Sequence, residues 1–268
     1  MPTESTDLII VTGAAGGIGA AVAKQCAQRP GVALLLTDRE EAALNRIAGE
    51  VRARADKGTR VYAEPCDLAS EEAVTALVER ATRTHGAPRY LIHAAGVFVD
   101  RPVTETSAEE FSRMMSVNAH GTFYLLRAAA RAMEQEQVEQ DRAMVVVASN
   151  AAGVPRVGMG AYAASKAAAS ALTRCLGLEL AGAGVRCNVV CPGSTDTAMQ
   201  RDFWASDPEA GRRRSLEGDL GTHRLGIPLG RIARPEDVAH TVDFLASERA
   251  RHVTLQELYV DGGATLHA

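Results

Sequence analysis

No stretch of about eighteen apolar residues occurs anywhere in the chain, so no helical membrane span is expected. The amino-terminal MPTESTDLII also lacks a basic region followed by a long apolar run, so it does not read as a secretory signal, and the chain reads as cytoplasmic. Basic residues are scattered rather than gathered into a stripe or tail, and the formal net charge is -4, which argues against nucleic acid as a partner. The cysteines number five, Cys26, Cys66, Cys175, Cys187 and Cys191, and their odd count and dispersion fit reduced core thiols better than a disulfide framework. Cys187 and Cys191 could share a strand face, but no His or Cys cluster completes a metal site, so no metal is expected. No separate linker divides the chain.

What is present suits one soluble enzyme domain. Hydrophobic residues make up 46% of the sequence and charged residues 23%, and 268 residues bury a substantial core without room for two catalytic domains. Short apolar runs at 8–11, 32–36, 60–63, 90–93, 144–148, 185–190 and 255–260 read as strands. Helical periodicity fills the intervals 17–29, 40–57, 71–84, 111–133, 161–180 and 235–247. Such alternation predicts an α/β fold: a single-domain, Rossmann-type, doubly wound parallel sheet with helices on both faces. Residues 196–229 break the rhythm. That stretch is charged and holds Trp204, Pro208, Gly218, Gly221 and Gly226, so it is expected to form a substrate cover or else an uninvolved surface insertion.

The segment Thr12-Gly13-Ala14-Ala15-Gly16-Gly17-Ile18-Gly19 lies between the first strand and the first helix. Glycines there permit a tight turn and let a pyrophosphate approach the positive helix terminus, which makes Gly13, Gly17, Ile18 and Gly19 candidate dinucleotide contacts. Asp38 lies at the end of the second strand, where a carboxylate accepts hydrogen bonds from the adenosine ribose and repels the extra phosphate of NADP; NAD is the expected cofactor, although Arg39 next to it could serve that phosphate. Asp67 follows the third strand and could meet the adenine amine or cap its own turn. Ala94, Ala95 and Gly96 are small enough for close approach of a cofactor ribose, and His93 before them reads as a hydrogen-bonded core histidine.

The chemical residues come later. Ser149 ends the fifth strand, and Tyr162 and Lys166 stand four apart on one face of the following helix. Oxidising an alcohol needs a base for the hydroxyl proton, yet an ordinary tyrosine has a pKa of about 10. A neighbouring ammonium would favour the phenolate, so Tyr162 reads as the acid/base, Lys166 as its electrostatic partner and cofactor-ribose contact, and Ser149 as the donor that holds the reacting oxygen. Asn118, inside the long preceding helix, could hold water or a backbone group in the proton route.

These residues in this order resemble the short-chain dehydrogenase/reductase family across nearly the whole chain. The match runs through Thr12-Gly13-x-x-x-Gly17-x-Gly19, Asp67, Asn118, Ser149, Tyr162, Lys166 and Pro192-Gly193. The resemblance implies cofactor contacts at Pro192, Gly193, Thr195 and Thr197. It also implies a homotetramer packed through helices 111–133 and 161–180, although the small residues of the latter could equally serve the monomer core. The family pattern usually has Asn where this chain has His93.

A narrower likeness, to the branch serving catechol siderophore biosynthesis, is carried by Pro155-Arg156-Val157-Gly158-Met159, by 184–190, by 192–200, by 225–230 and by Thr254-Leu255-Gln256. It implies that a carboxylated cyclic diol is oxidised to an aromatic catechol, with Arg156 as an anchor for the carboxylate and Met159, Met199 and Gln200 as pocket-wall residues beside Ser149 and Tyr162. Arg156 could instead make a surface or intersubunit salt bridge. Another dehydrogenase of the family, acting on a cyclic alcohol or oxoacyl group, and a non-catalytic nucleotide-binding regulator are the alternatives.

Overall fold

In a computed structural model describing residues 7–136 and 140–266, the apolar runs form one seven-stranded parallel sheet. Its strands are β1 (Leu8–Thr12), β2 (Ala33–Asp38), β3 (Arg60–Pro65), β4 (Pro88–His93), β5 (Arg142–Val147), β6 (Val185–Pro192) and, at one edge, β9 (Glu257–Val260), ordered β3-β2-β1-β4-β5-β6-β9. Alternation along β1 shows why both faces must be covered. Ile9 and Val11 enter one apolar cluster with Val22, Leu44 and Val242, whereas Leu8 and Ile10 enter another with Leu77, Leu125 and Met144.

The first cluster is closed by α1 (Gly17–Cys26), α2 (Glu41–Arg52) and α9 (Pro235–Leu245). The second is closed by α3 (Glu71–His85), α5 (Gly121–Gln135) and α6 (Gly160–Leu180). Strand order reverses between β1 and β4, and a crevice opens there beyond the carboxyl ends of the strands, where open α/β sheets bind their ligands.

The expected single helix over 111–133 is three pieces. Helix α4 (Ala108–Met114) starts at a capping box, in which the Ser107 hydroxyl accepts from Glu110 N at 3.2 Å and Glu110 Oε2 accepts from Ser107 N at 3.0 Å. A wider π-helical turn, Met115–His120, then precedes α5. Local polar competition explains the turn. The Asn118 side chain is drawn off to the Val97 backbone, and Thr122 Oγ1 donates to the Asn118 carbonyl at 2.6 Å.

Residues 196–229 hold regular structure as well. Helix α7 (Ala198–Phe203) is capped by Thr197, α8 (Pro208–Glu217) by Asp207, and a two-residue antiparallel hairpin joins β7 (Gly218–Asp219) to β8 (Arg224–Leu225). Trp204 and Ile227 of this segment pack with Ile232 and Ala264 beyond it in a small apolar cluster. Of the five cysteines four are buried as expected, but Cys175 is exposed on α6, and none is paired among the described residues. Among these residues no helix is long and apolar enough to cross a membrane, and no group of His, Cys, Asp or Glu could hold a metal ion.

Candidate active site

The crevice at the strand-order reversal is a cleft of about 340 Å³. Its first wall is the turn from β1 into α1. Gly13 takes φ +68°, a left-handed conformation, and a Cβ there would stand 2.5 Å from Ala95 N. Gly16 caps α1 without a side-chain hydrogen bond, and the first turn carries no acidic residue, so its amide N–H groups are open to an anion. That cradle fits a dinucleotide pyrophosphate. Gly17 packs against Thr197, since a Cβ there would lie 2.6 Å from Thr197 Cγ2.

Carboxylates line one end of the cleft. Asp38 Oδ2 accepts from Ala15 N at 3.1 Å and Oδ1 from Glu40 N at 3.2 Å, which fixes the carboxylate at the tip of β2. Arg39 turns to Glu40, with Nη2 to Oε1 at 3.0 Å, and both side chains are exposed. Asp67 lines the same end while its Oδ1 accepts from Ala69 N at 3.0 Å, so it caps its own turn as well.

The chemical residues meet at the centre. Lys166 Nζ donates to Val147 O at 3.0 Å, and burial pushes its ammonium down to about 8. Burial pushes the Tyr162 phenol up to about 12, and the Ser149 hydroxyl beside it opposes that rise. Ser149 Oγ accepts from Ala151 N at 3.1 Å, which leaves its proton to donate into the cleft. Asn118 stands behind this group rather than on the cleft wall. Its amide closes a two-bond bridge to Val97, at 2.8 and 2.9 Å, and donates to Ser165 Oγ at 2.9 Å.

His93 sits beneath the centre, 1% exposed. Because the Thr122 hydroxyl gives its proton to the Asn118 carbonyl, it must accept from His93 Nε2–H at 2.9 Å; Nδ1 then accepts from the Thr12 hydroxyl at 2.7 Å. Burial, with the Lys166 charge adding to it, lowers the imidazole to about 3, so it is neutral at every physiological pH.

Gly13, Gly17, Ile18, Gly19, Ala94, Ala95, Gly96, Pro192, Gly193, Thr195 and Thr197 line one continuous surface with Asp38, Tyr162 and Lys166. Arg156, Met159, Met199 and Gln200 line it too, beyond Tyr162 and Ser149. Of the catalytic, cofactor and substrate candidates drawn from the sequence, Asn118 alone lies off the wall. Among the wall residues that escaped the sequence reading, two bear on the chemistry. Phe98 packs edge-on to Tyr162, ring centroids 4.9 Å apart at 83°, and Arg224 reaches in from β8. Phe98 follows Gly96 by two positions, but only tertiary packing turns its ring onto the tyrosine.

A parallel sheet with a glycine cradle at its switch point, set against a buried lysine one helical turn from a tyrosine, defines an NAD(P)-dependent oxidoreductase. Residues 13–265 match the family model described as Enoyl-(Acyl carrier protein) reductase. Over 259 residues the chain is 40% identical to the 2,3-dihydro-2,3-dihydroxybenzoate dehydrogenase of Bacillus subtilis (strain 168), spanning 97% of this chain and 96% of that one. It is 49% identical over 178 residues to the Escherichia coli (strain K12) protein of the same name, 66% of this chain and 70% of that one. A solved short-chain type dehydrogenase/reductase from Mycobacterium ulcerans superposes with a TM-score of 0.86 at 29% identity, over 97% of this chain and 90% of that one. The chain belongs to the short-chain dehydrogenase/reductase family.

Proposed function

We propose that this chain catalyses the NAD-dependent oxidation of 2,3-dihydro-2,3-dihydroxybenzoate to 2,3-dihydroxybenzoate in catechol siderophore biosynthesis. The observation that carries the reading is the convergence, in one cleft, of Ser149, Tyr162 and Lys166 with the cationic Arg156 beyond them. The names of the Bacillus and Escherichia relatives support the substrate. NAD over NADP is supported by two carboxylates, Asp38 and Glu40, at one end of the cleft, and by Arg39 being engaged by Glu40.

The proton route uses groups of this chain. Ser149 donates to the hydroxyl oxygen of the substrate and holds it at Tyr162. Tyr162 accepts the hydroxyl proton, and the Lys166 ammonium offsets the charge left on the phenolate, working against the burial that raises the phenol. Lys166 and the small residues Ala94, Ala95 and Gly96 position the ribose nearest the reacting carbon. A bound nicotinamide supplies the hydride acceptor. Asn118, by clamping Val97, keeps the loop after β4 in register with Lys166. The ketone then loses a ring proton and tautomerises to the aromatic diol, which makes oxidation the downhill direction.

Residues 196–229 act as the substrate cover, a role supported by Met199, Gln200 and Arg224 lining the cleft. A homotetramer packed through α4, α5 and α6 is supported by the exposed Phe123 and Leu178 on those helices. The reading is tested by following NADH absorbance with the dihydrodiol and either NAD or NADP, with product spectra recorded alongside. Turnover with NAD and a catechol spectrum are expected; no turnover of the dihydrodiol sinks the substrate assignment.

A further inference from the structure

Arginines that are half-buried elsewhere in this chain have carboxylate partners: Arg29 meets Asp243 at 2.6 Å and Arg89 meets Glu248 at 2.6 Å. Two half-buried arginines on the cleft wall do not. Arg156 and Arg224 make no ion pair with any carboxylate among the described residues. Leaving two guanidiniums partly out of water without counter-charge is costly, and the cost is recovered when an anion enters.

The surroundings confirm that the deficit is local. Arg224 feels the like charges of Arg156 and Arg214, and burial plus these charges lowers its guanidinium below the usual range. The acids facing it are Asp100 and Asp219, and the acid facing Arg156 is Asp261. Two of these three are already engaged. Asp219 Oδ1 accepts from Gly221 N at 2.9 Å, and Asp261 accepts from Asn150, Gly263 and Thr265. Asp100 forms no ion pair with Arg224 among the described residues, and burial raises its carboxyl.

Arg224 is also held in place. Its Nη2 donates to Ser194 Oγ at 3.0 Å, which pins the cover hairpin to the loop that follows β6. His223 before it adopts φ 52°, and a Cβ on Gly218 would stand 2.6 Å from Arg224 O, so the turn admits little freedom. A built-in guanidinium with one donor spent on serine keeps other donors for a carboxylate, in the fork geometry suited to two-oxygen recognition.

We infer that Arg224 is a specificity-determining residue which, together with Arg156, clamps the carboxylate of a ring-hydroxy acid, so that the site selects anionic cyclic alcohols over neutral ones. The inference rests on the dehydrogenase reading of the site and deepens it. It assigns to the cover a direct hand in substrate choice, through a residue 68 positions from Arg156 in the sequence.

The test uses binding and turnover together, on the wild type and on Arg224→Gln, Arg224→Lys and Arg156→Gln. Calorimetric titration compares 2,3-dihydroxybenzoate with catechol, which lacks only the carboxylate. Arg224→Gln should weaken 2,3-dihydroxybenzoate by about 10- to 100-fold while leaving catechol within about twofold, and Arg224→Lys should recover part of the loss. KM for the dihydrodiol should rise in parallel, with KM for NAD unchanged. Equal losses for both ligands, or a rise confined to KM for NAD, overturns the clamp. If wild type fails to turn over the dihydrodiol but still loses carboxylate binding with Arg224→Gln, the clamp stands and the named substrate falls. Melting temperatures of the variants, expected within a few degrees of wild type, show that binding rather than folding has changed.

Discussion

Lys166 illustrates how a single residue is held against its own stability. Its ammonium is buried and lowered from 10.5 to about 8, so it favours the unfolded chain at neutral pH. Between pH 8 and 10.5 the unfolded state binds the extra proton, and stability should rise with pH as that cost is relieved. Lys166→Met should therefore stabilise the protein on the order of 1–3 kcal/mol at pH 7 while removing turnover, with the gain shrinking towards pH 10. Urea melts across that range check it. Tyr162→Phe should lower kcat by about 10²–10⁴-fold with the fold intact, seen as lost NADH production beside an unchanged circular dichroism spectrum. His93 has the same sign in a lower pH window. Its folded value of about 3 lies below the ordinary 6.5, so the stability of the neutral, doubly bonded ring is complete above pH 6.5 and is lost as the pH falls towards 3. Replacing it by Asn should flatten the acid limb of the stability curve by about 1.4 kcal/mol per pH unit, measured by denaturant titration between about pH 4 and 6.

At the scale of elements, the turn between β1 and α1 and the π-helical turn before α5 set the geometry of the cleft. Gly13 combines a positive φ with contact against the backbone of Ala94 and Ala95, so strands β1 and β4 are locked together just where the phosphate cradle begins. Gly13→Ala should lose cofactor binding and cost about 2 kcal/mol or more, through strain at φ +68° and a clash that no side-chain rotation relieves. Fluorescence titration with NADH and thermal melting together measure both effects. The π turn is maintained by Thr122, whose hydroxyl links the Asn118 carbonyl to His93. Without that hydroxyl, the Nε2–H of a buried imidazole has no acceptor, so a threonine in a helix interior is as informative about the site as the residues on its wall.

Across the whole molecule the two ends of the sheet have different work. The carboxyl ends carry the cleft, while the amino ends of β5 and β6 are stapled by Arg186, which meets Asp141 at 2.8 Å and donates to the carbonyls of Leu245 and Ser247. Asp141 also accepts from Tyr90 at 3.2 Å, so the staple joins three strands and the end of α9. Asp141→Ala leaves a buried guanidinium unpaired and should cost about 3–5 kcal/mol in urea denaturation. KM values for substrate and cofactor should stay close to wild type below the melting range, because the staple lies at the opposite end of the strands from Tyr162.

The sequence by itself determined the alternation of strands and helices, the glycine cradle, and the order in which Ser149, Tyr162 and Lys166 follow a dinucleotide loop. Those signals survive in one dimension because periodicity, glycine permissiveness and helical spacing are local properties. It also marked 196–229 as a departure from the repeating pattern, though the two helices and the hairpin within it were not legible from charge and glycine content. Only the tertiary structure decided that the helix over 111–133 opens into a π turn, that Asn118 clamps a loop from behind, and that Phe98 and Arg224 line the cleft. Each of these depends on which distant atoms compete for a hydrogen bond or a packing surface. The spacing of Tyr162 and Lys166 is legible in the sequence; the selectivity proposed for the cleft rests on Arg224, which bonds Ser194 and feels the like charge of Arg156, both brought near it only by the fold.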